Sequence, residues 1–209
     1  SFEFSAGGQR LVVNCGASPV IQEKWDGALR ATAAHSTVTL ADTTMANVLS
    51  PGLARDLIGP RMSGGPTKVE TFRQETLQGW SVDASHDGYL TGFGIVHERR
   101  ITLGPRGEQL TGSDRLVPKA RSRRGDVPFA VRFHIHPDVR MSPSQGGDIL
   151  LKLPNGDGWR FRAGGGSVAL EESVYLGGDA IRRTEQLVIS GAVRNEPVEI
   201  AWLFEHIGA

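Results

Sequence analysis

Alternation of apolar and polar positions over short stretches dominates this chain. Phe2 and Phe4 alternate with polar neighbours, Ala6-Gly7-Gly8 supplies a turn, and Arg10 to Asn14 carries a second β-branched run, so the chain opens on a hairpin. Leu29 to Ala34 leads into a strand opened by His35 and running through Ser36-Thr37-Val38-Thr39-Leu40. Leu49 to Pro66 is rich in Gly and Pro without alternation and reads as a long surface loop, with at most a helical turn at Leu53 to Ile58. Val69 to Glu75 and Trp80 to Ser85 form a hairpin across Leu77-Gln78-Gly79. Gly88 to Phe93 and Ile95 to Leu103 follow as strands, and after the turn Gly104-Pro105-Arg106-Gly107 the chain returns over Glu108 to Thr111. Phe129 to His136, Asp148 to Leu153, Gly158 to Arg162, Val168 to Tyr175, Arg182 to Ser190 and Val198 to Phe204 complete the strands, with Pro154-Asn155-Gly156-Asp157 as a hairpin turn. So many short strands, with no long amphipathic helix, imply an all-β fold of two packed antiparallel sheets.

Composition narrows the class only a little. A chain of 209 residues forms one large all-β domain with a substantial core, there is no fixed-period repeat or interdomain linker, and no apolar run approaches the ~20 residues of a membrane helix. Lys plus Arg equals Asp plus Glu at 23 each, which removes the global positive field of a nucleic-acid binder and makes any anion binding local. The basic segment Lys119, Arg121, Arg123 and Arg124 reads as a solvated loop, with a polyanionic sugar contact as the alternative. The single cysteine, Cys15, forms no internal disulfide and beside Gly16 reads as a small buried group.

Candidate chemistry is sparse. Asn14 ends an apolar strand, where it reads first as a turn residue, with an amide in a buried polar site as the alternative; His35 reads first as a partly buried, hydrogen-bonded histidine, with a ligand as the alternative. His134 and His136, two apart on a strand, share a face opposite Phe133 and Ile135, a geometry that permits joint metal or anion binding but supplies only two of the three protein ligands zinc needs. His86 and His97 flank Asp87-Gly88-Tyr89 and could meet across a hairpin, whereas His206 has no evident partner. Gly164-Gly165-Gly166 lacks the Lys-Ser/Thr of a phosphate loop, and neither a Gly-x-Ser-x-Gly elbow nor paired cysteines are present.

The order of several short motifs resembles the C-terminal β-sandwich domain of the heparinase II/III-like polysaccharide lyases. That domain begins with a His-x-His-x-Asp type motif, then Ser-Phe, a small turn and an apolar strand ending in Asp and Gly. Ser1-Phe2 and Leu11-Val12-Val13-Asn14-Cys15-Gly16 match the later parts, and the histidine motif would lie just before Ser1. A second family block, His followed by Ser or Asn and Thr, is matched by His35-Ser36-Thr37. The resemblance continues through Ala84-Ser85-His86-Asp87-Gly88-Tyr89, the basic strand Val96-His97-Glu98-Arg99-Arg100, a Gly112-Ser113-Asp114-Arg115-Leu116 turn and Arg132-Phe133-His134-Ile135-His136-Pro137, nearly the whole chain.

The resemblance implies a large, many-stranded two-layer β-sandwich spanning residues 1–209, the C-terminal piece of a longer bacterial chain with an upstream α/α toroid, in the periplasm or secreted. It implies an eliminative lyase acting on uronic-acid-containing glycans. There the toroid supplies a Tyr and an Asn or His, the sandwich supplies a His from the motif before Ser1, and the present chain holds no catalytic residue and is inactive alone. The expected partners are an acidic polysaccharide or oligosaccharide and the chain's own toroid, with no nucleic acid and no membrane. A structural zinc in the family uses a His of the upstream motif, an Asp at the position of Asn14 and a His at the position of His35. The metal candidates here are therefore His35 and Asn14, an incomplete pair, with no cofactor required in this chain; the neutral amide is a poorer zinc ligand than a carboxylate. The two are expected close in space, joined by a hydrogen bond or a bridging water. Two other classes stay open: a carbohydrate-binding sandwich with exposed aromatics, for which Trp25, Trp80, Trp159 and Tyr89 are candidates, and a structural or assembly domain.

Overall fold

The computed structural model describes residues 1–17, 22–48, 52–53, 57, 59, 61–119 and 125–208. The opening hairpin pairs β1 (Phe4–Ala6) with β2 (Gln9–Val13). Helix α1 (Gln22–Leu29) and a 3-10 turn (Thr32–Ala34) lead to β3 (Val38–Leu40). A small ribbon joins β4 (Ala46–Val48) to β5 (Met62–Gly64), and β6 (Val69–Thr76), β7 (Gly79–His86), the short helix α2 (Leu90–Phe93), β8 (Ile95–Leu103) and β9 (Gln109–Pro118) follow. The remainder comprises β10 (Val127–Ile135), β11 (Arg140–Pro143), β12 (Ile149–Lys152), β13 (Gly158–Gly164), β14 (Ser167–Tyr175), β15 (Arg182–Val193) and β16 (Val198–Gly208).

These strands form two antiparallel sheets packed as a sandwich. The first runs β1-β2-β10-β15-β14, with β3 also on β10; the second runs β11-β12-β13-β16-β9-β8-β7-β6. Period-two patterning explains the core: Phe129, Val131, Phe133 and Ile135 of β10 turn inward against Ile200, Trp202 and Phe204 of β16, all buried. Phe133 sits edge-on to Trp202 at 5.0 Å and Phe2 stacks on the same indole at 5.4 Å, so the first residues of the chain complete the aromatic centre.

One edge of β10 is shared. Strand β2 pairs with it at His134 and Ile135, and β3 at Phe129 to Val131. Between them Ser36 acts as a substitute rung: its hydroxyl donates to the Val13 carbonyl at 2.7 Å and accepts the His134 N–H at 2.9 Å, while Arg132 N–H donates to the Thr37 carbonyl at 2.9 Å.

The expected two-layer fold is the observed one, with local departures. Leu29 to Ala34 ends a helix and forms a 3-10 turn, and the strand begins at Val38, three residues after His35. Gly88 to Phe93 is not a strand: Leu90 N–H donates to the Asp87 carbonyl, Tyr89 is buried with its hydroxyl on the Val38 carbonyl at 2.7 Å, and Gly94 (φ 71°) closes α2 in the left-handed region. Gly112 to Leu116 is no turn but the middle of β9. Met62–Gly64, inside the stretch read as loop, pairs with Ala46–Val48. Strand β11 has no alternation to announce it and ends in Pro143, which an edge strand tolerates. The turn at Leu53 to Ile58 falls largely outside the described residues, as do Arg121, Arg123 and Arg124 of the basic segment. Among the described residues no helix is long and apolar enough to cross a membrane.

Candidate functional site

The second sheet is wider than the first, and a cleft of about 450 Å³ opens on its inner face near the start of the chain. Its walls include Phe4, Met45, Val82 and Ile101, with Ser1 and His86 among its polar groups. Beneath it lies a buried polar chain built by strand register. His86 and His97 are directly opposed across β7 and β8, Arg99 faces Asp114 across β8 and β9, and Trp202 lies on the other side of β9, one diagonal step from Asp114.

The hydrogen bonds of this chain have a single consistent polarity. The Gly88 backbone N–H can only donate, and it donates to His86 Nδ1 at 3.2 Å. A neutral His86 then carries its proton on Nε2 and donates to His97 Nδ1 at 3.0 Å. His97 in turn donates from Nε2 to Asp114 Oδ1 at 2.6 Å. Asp114, wholly buried, also accepts from Arg99 Nε at 2.7 Å, Arg99 Nη2 at 3.0 Å and Trp202 Nε1 at 3.0 Å. Arg99 Nη1 reaches the other sheet, donating to the Ser36 carbonyl at 2.8 Å.

Electrostatics follow from that arrangement. Burial would raise the Asp114 carboxyl, but the Arg99 charge and the hydrogen bonds from His97 and Arg99 hold it well below the usual carboxylate range. Burial lowers His86 to about 4, helped by His97 alongside, and burial also pushes His97 down against the pull of Asp114. The site is thus a neutral imidazole pair ending on a compensated Asp–Arg ion pair. It positions strands and presents one half-buried imidazole edge to the cleft; it offers no spare cation.

The residues expected from sequence lie beside this region. Asn14 Oδ1 accepts the Ser36 N–H at 2.9 Å, so its side chain reaches the residue next to His35, and its Nδ2 donates to Glu3 Oε1 at 3.1 Å. His35 is half-buried, and burial lowers its pKa. One imidazole and one amide, whose oxygen already accepts a backbone N–H, do not fit a zinc ion on their own. Among the described residues no group of three or more His, Cys, Asp or Glu is placed to hold a metal.

His134 and His136 share a face, as expected, yet do not converge. His134 is buried, donating from Nε2 to the Ala33 carbonyl at 2.9 Å while Ser173 donates to its Nδ1 at 2.7 Å, and burial lowers it to about 4. His136 instead lies against Tyr175 and 3.6 Å from Asp138. His206 packs on Trp159 and lies 3.7 Å from Asp157. Cys15 is buried, and burial raises its thiol, as suits an inert core group. Of the aromatic candidates, Trp159 and Tyr89 are core, Trp25 is half-buried and Trp80 is partly exposed. Trp202 had no signal pointing to a site, and Asp114 had one only through its strand parity. His97 and Arg99 did have one: both fall on the inward parity of a strand that also buries Ile95.

Comparison with known proteins agrees with this architecture. The family model described as Heparinase II/III-like, C-terminal matches residues 1–203. FtsZ-localized protein C of Caulobacter vibrioides is 34% identical over 210 residues, which cover 97% of this chain and 36% of that protein. The structure of a heparinase III gene product superposes with a TM-score of 0.71 at 13% identity, over 99% of this chain and 30% of that one. A crystal structure of heparinase III gives 0.67 at 12% identity, over 99% and 29%. At such identities the structures speak for the fold alone. The chain spans about a third of the length of the curated relative it matches.

Proposed function

The chain belongs to the heparinase II/III-like C-terminal family, and on that premise we propose that it is the C-terminal β-sandwich of a longer protein that cleaves a uronic-acid-containing polysaccharide by β-elimination. The sandwich walls the substrate cleft and leaves proton transfer to residues upstream of Ser1. Elimination needs the uronate carboxylate neutralised, a base for the C5 proton and an acid for the leaving oxygen. One observation supports assigning those tasks elsewhere: among the described residues, both tyrosines and the arginine beside the cleft are engaged within the fold. Tyr89 donates to the Val38 carbonyl, Tyr175 accepts from Arg10 at 2.6 Å, and Arg99 is committed to Asp114 and Ser36. His86, at about 4, lies far from the near-neutral pKa of an efficient base.

The test compares this chain alone with the full-length protein on heparin, heparan sulfate and alginate, following unsaturated uronate absorbance. Product is expected from the longer protein only. Product from the chain alone refutes the division of labour, and its absence from both refutes the lyase reading.

A second reading rests on the relative at 34% identity, far above the 12–13% shared with the heparinase III structures. In this reading the sandwich is an assembly domain of a protein placed with FtsZ, without glycan turnover. A fluorescent fusion of the full-length protein that co-localises with FtsZ, combined with no elimination product, favours it over the first.

A further inference from the structure

The outer face of the second sheet, opposite the cleft, carries a groove of about 540 Å³ that the elimination reading does not use. Register places two rows of side chains across it. Glu70, Ser85, Glu98, Arg115 and Glu199 form one, crossing β6, β7, β8, β9 and β16. Phe72, Asp83, Arg100 and Ser113 form the second, one step along the same strands. At ~4.8 Å between strands the first row, over five strands, is roughly 19 Å long and the second, over four, roughly 14 Å, the scale of a short oligosaccharide.

The charges on this face are already spent. Arg100 Nε donates to Asp83 Oδ1 at 2.5 Å, Arg115 Nη1 to Glu98 Oε2 at 3.0 Å, and Lys68 pairs with Glu70 at 2.9 Å. Glu199 is left as a surplus carboxylate in the groove. A polyanion would meet that surplus and would have to break an existing pair to gain a cation. The pairs nevertheless leave Asp83 Oδ2, Glu98 Oε1 and further guanidinium N–H groups, flanked by the Ser85 and Ser113 hydroxyls. Acceptors and donors therefore stand side by side, as the vicinal hydroxyls of an uncharged sugar require. Phe72, 62% exposed at the end of the second row, adds an aromatic face at the groove, on which a sugar ring can stack.

We propose that this outer-face groove of β6 to β9 and β16 is a binding site for an uncharged glycan, with Phe72 as the stacking platform and the Asp83–Arg100 and Glu98–Arg115 pairs as its hydrogen-bonding floor. The site is separate from the cleft and from the proposed acidic substrate. Its test is equilibrium binding by the purified chain, measured calorimetrically with cellohexaose and N-acetylchitohexaose, and with hexaguluronate and a basic octapeptide as charged probes. At least one neutral hexasaccharide binds, Phe72→Ala weakens it about tenfold, and Arg115→Gln weakens it as well. Both side chains are on the surface, so melting temperatures of the variants stay at the wild-type value. No binding of either neutral sugar, binding indifferent to Phe72→Ala and Arg115→Gln, or tighter binding of hexaguluronate or the peptide in this groove overturns the proposal. The elimination assay reads a different event, so either conclusion can fail while the other stands.

Discussion

Replacing Asp114 by Asn keeps the shape of the most connected buried side chain and removes its charge. Oδ1 receives His97 and Arg99 Nε, and Oδ2 receives Arg99 Nη2 and Trp202 Nε1. Whichever way the new amide is turned, its NH2 confronts two N–H donors. The Arg99 guanidinium, 8% exposed, also loses its only acidic neighbour in the network. Breaking a buried ion pair from one side costs ~3–5 kcal/mol, within which the unmatched donors are already counted. Against a total stability of ~5–15 kcal/mol this is a large fraction, and for a domain of this size it lowers the melting temperature by roughly 6–20 °C. Urea and thermal unfolding of Asp114→Asn, and of the closed cycle Asp114→Leu, Arg99→Met and Asp114→Leu with Arg99→Met, provide the assay. Each single change is expected to be severe and the double change milder than their sum by at least ~2 kcal/mol, since an apolar pair leaves no stranded charge. A loss below ~1 kcal/mol for Asp114→Asn, or strictly additive effects, would refute the view that Asp114 is the node joining the strands.

Three further outcomes follow from the same geometry. His86, His97 and His134 all have folded pKa values below the unfolded ~6.5, so their contribution is fully present above pH 6.5 and is lost as pH falls toward about 4 for His86 and His134. Burial of His134 alone makes this roughly 3 kcal/mol, and the urea midpoint should fall between pH 7 and pH 4.5; a flat or rising midpoint contradicts the neutral-histidine assignment. Ser36→Ala removes the rung between β2 and β10, stranding the Val13 carbonyl and the His134 N–H, at a cost of ~1–3 kcal/mol for a buried unpaired group; an unchanged urea midpoint argues against that bridge. Gly112→Ala places a Cβ about 2.1 Å from the Trp202 ring, and the overpacking costs ~1–3 kcal/mol with a change in near-ultraviolet circular dichroism; a silent substitution shows that the indole is not clamped there.

How much of this was legible in the sequence depends on whether the signal was local. Phe129 to His136 announces its own strand because every second residue is large and apolar, and Pro154-Asn155-Gly156-Asp157 announces its own turn, with Gly156 at φ 97°. The order of such motifs also carried the family. Gly88 to Phe93 misled because Tyr89, Leu90 and Phe93 are apolar enough for a strand, while the Asp87 carbonyl and Gly94 at either end dictate one turn of helix. Met62–Gly64 and Arg140–Pro143 were illegible for another reason: both are short strands without alternation, held by partners elsewhere rather than by their own pattern.

The site shows the sharper limit. Asn14 and the stretch around His35 could be placed together because one opening region contains both, and Asn14 does reach Ser36. The His86–His97–Asp114–Arg99–Trp202 chain spans more than a hundred residues, and its members meet only because β7, β8, β9 and β16 pair in one register. A slip of one residue in any of those pairings would turn its histidine, arginine or aspartate to the solvent face. The usable clue was an inconsistency inside β8: Ile95, His97, Arg99 and Ile101 have the same parity, so a strand face that buries Ile95 must bury an imidazole and a guanidinium too. Burying a guanidinium without a carboxylate costs more than a strand can repay, which requires an inward-facing acid on a neighbouring strand. Asp114, flanked at two-residue spacing by Gly112 and the buried Leu116, is an acid with that parity.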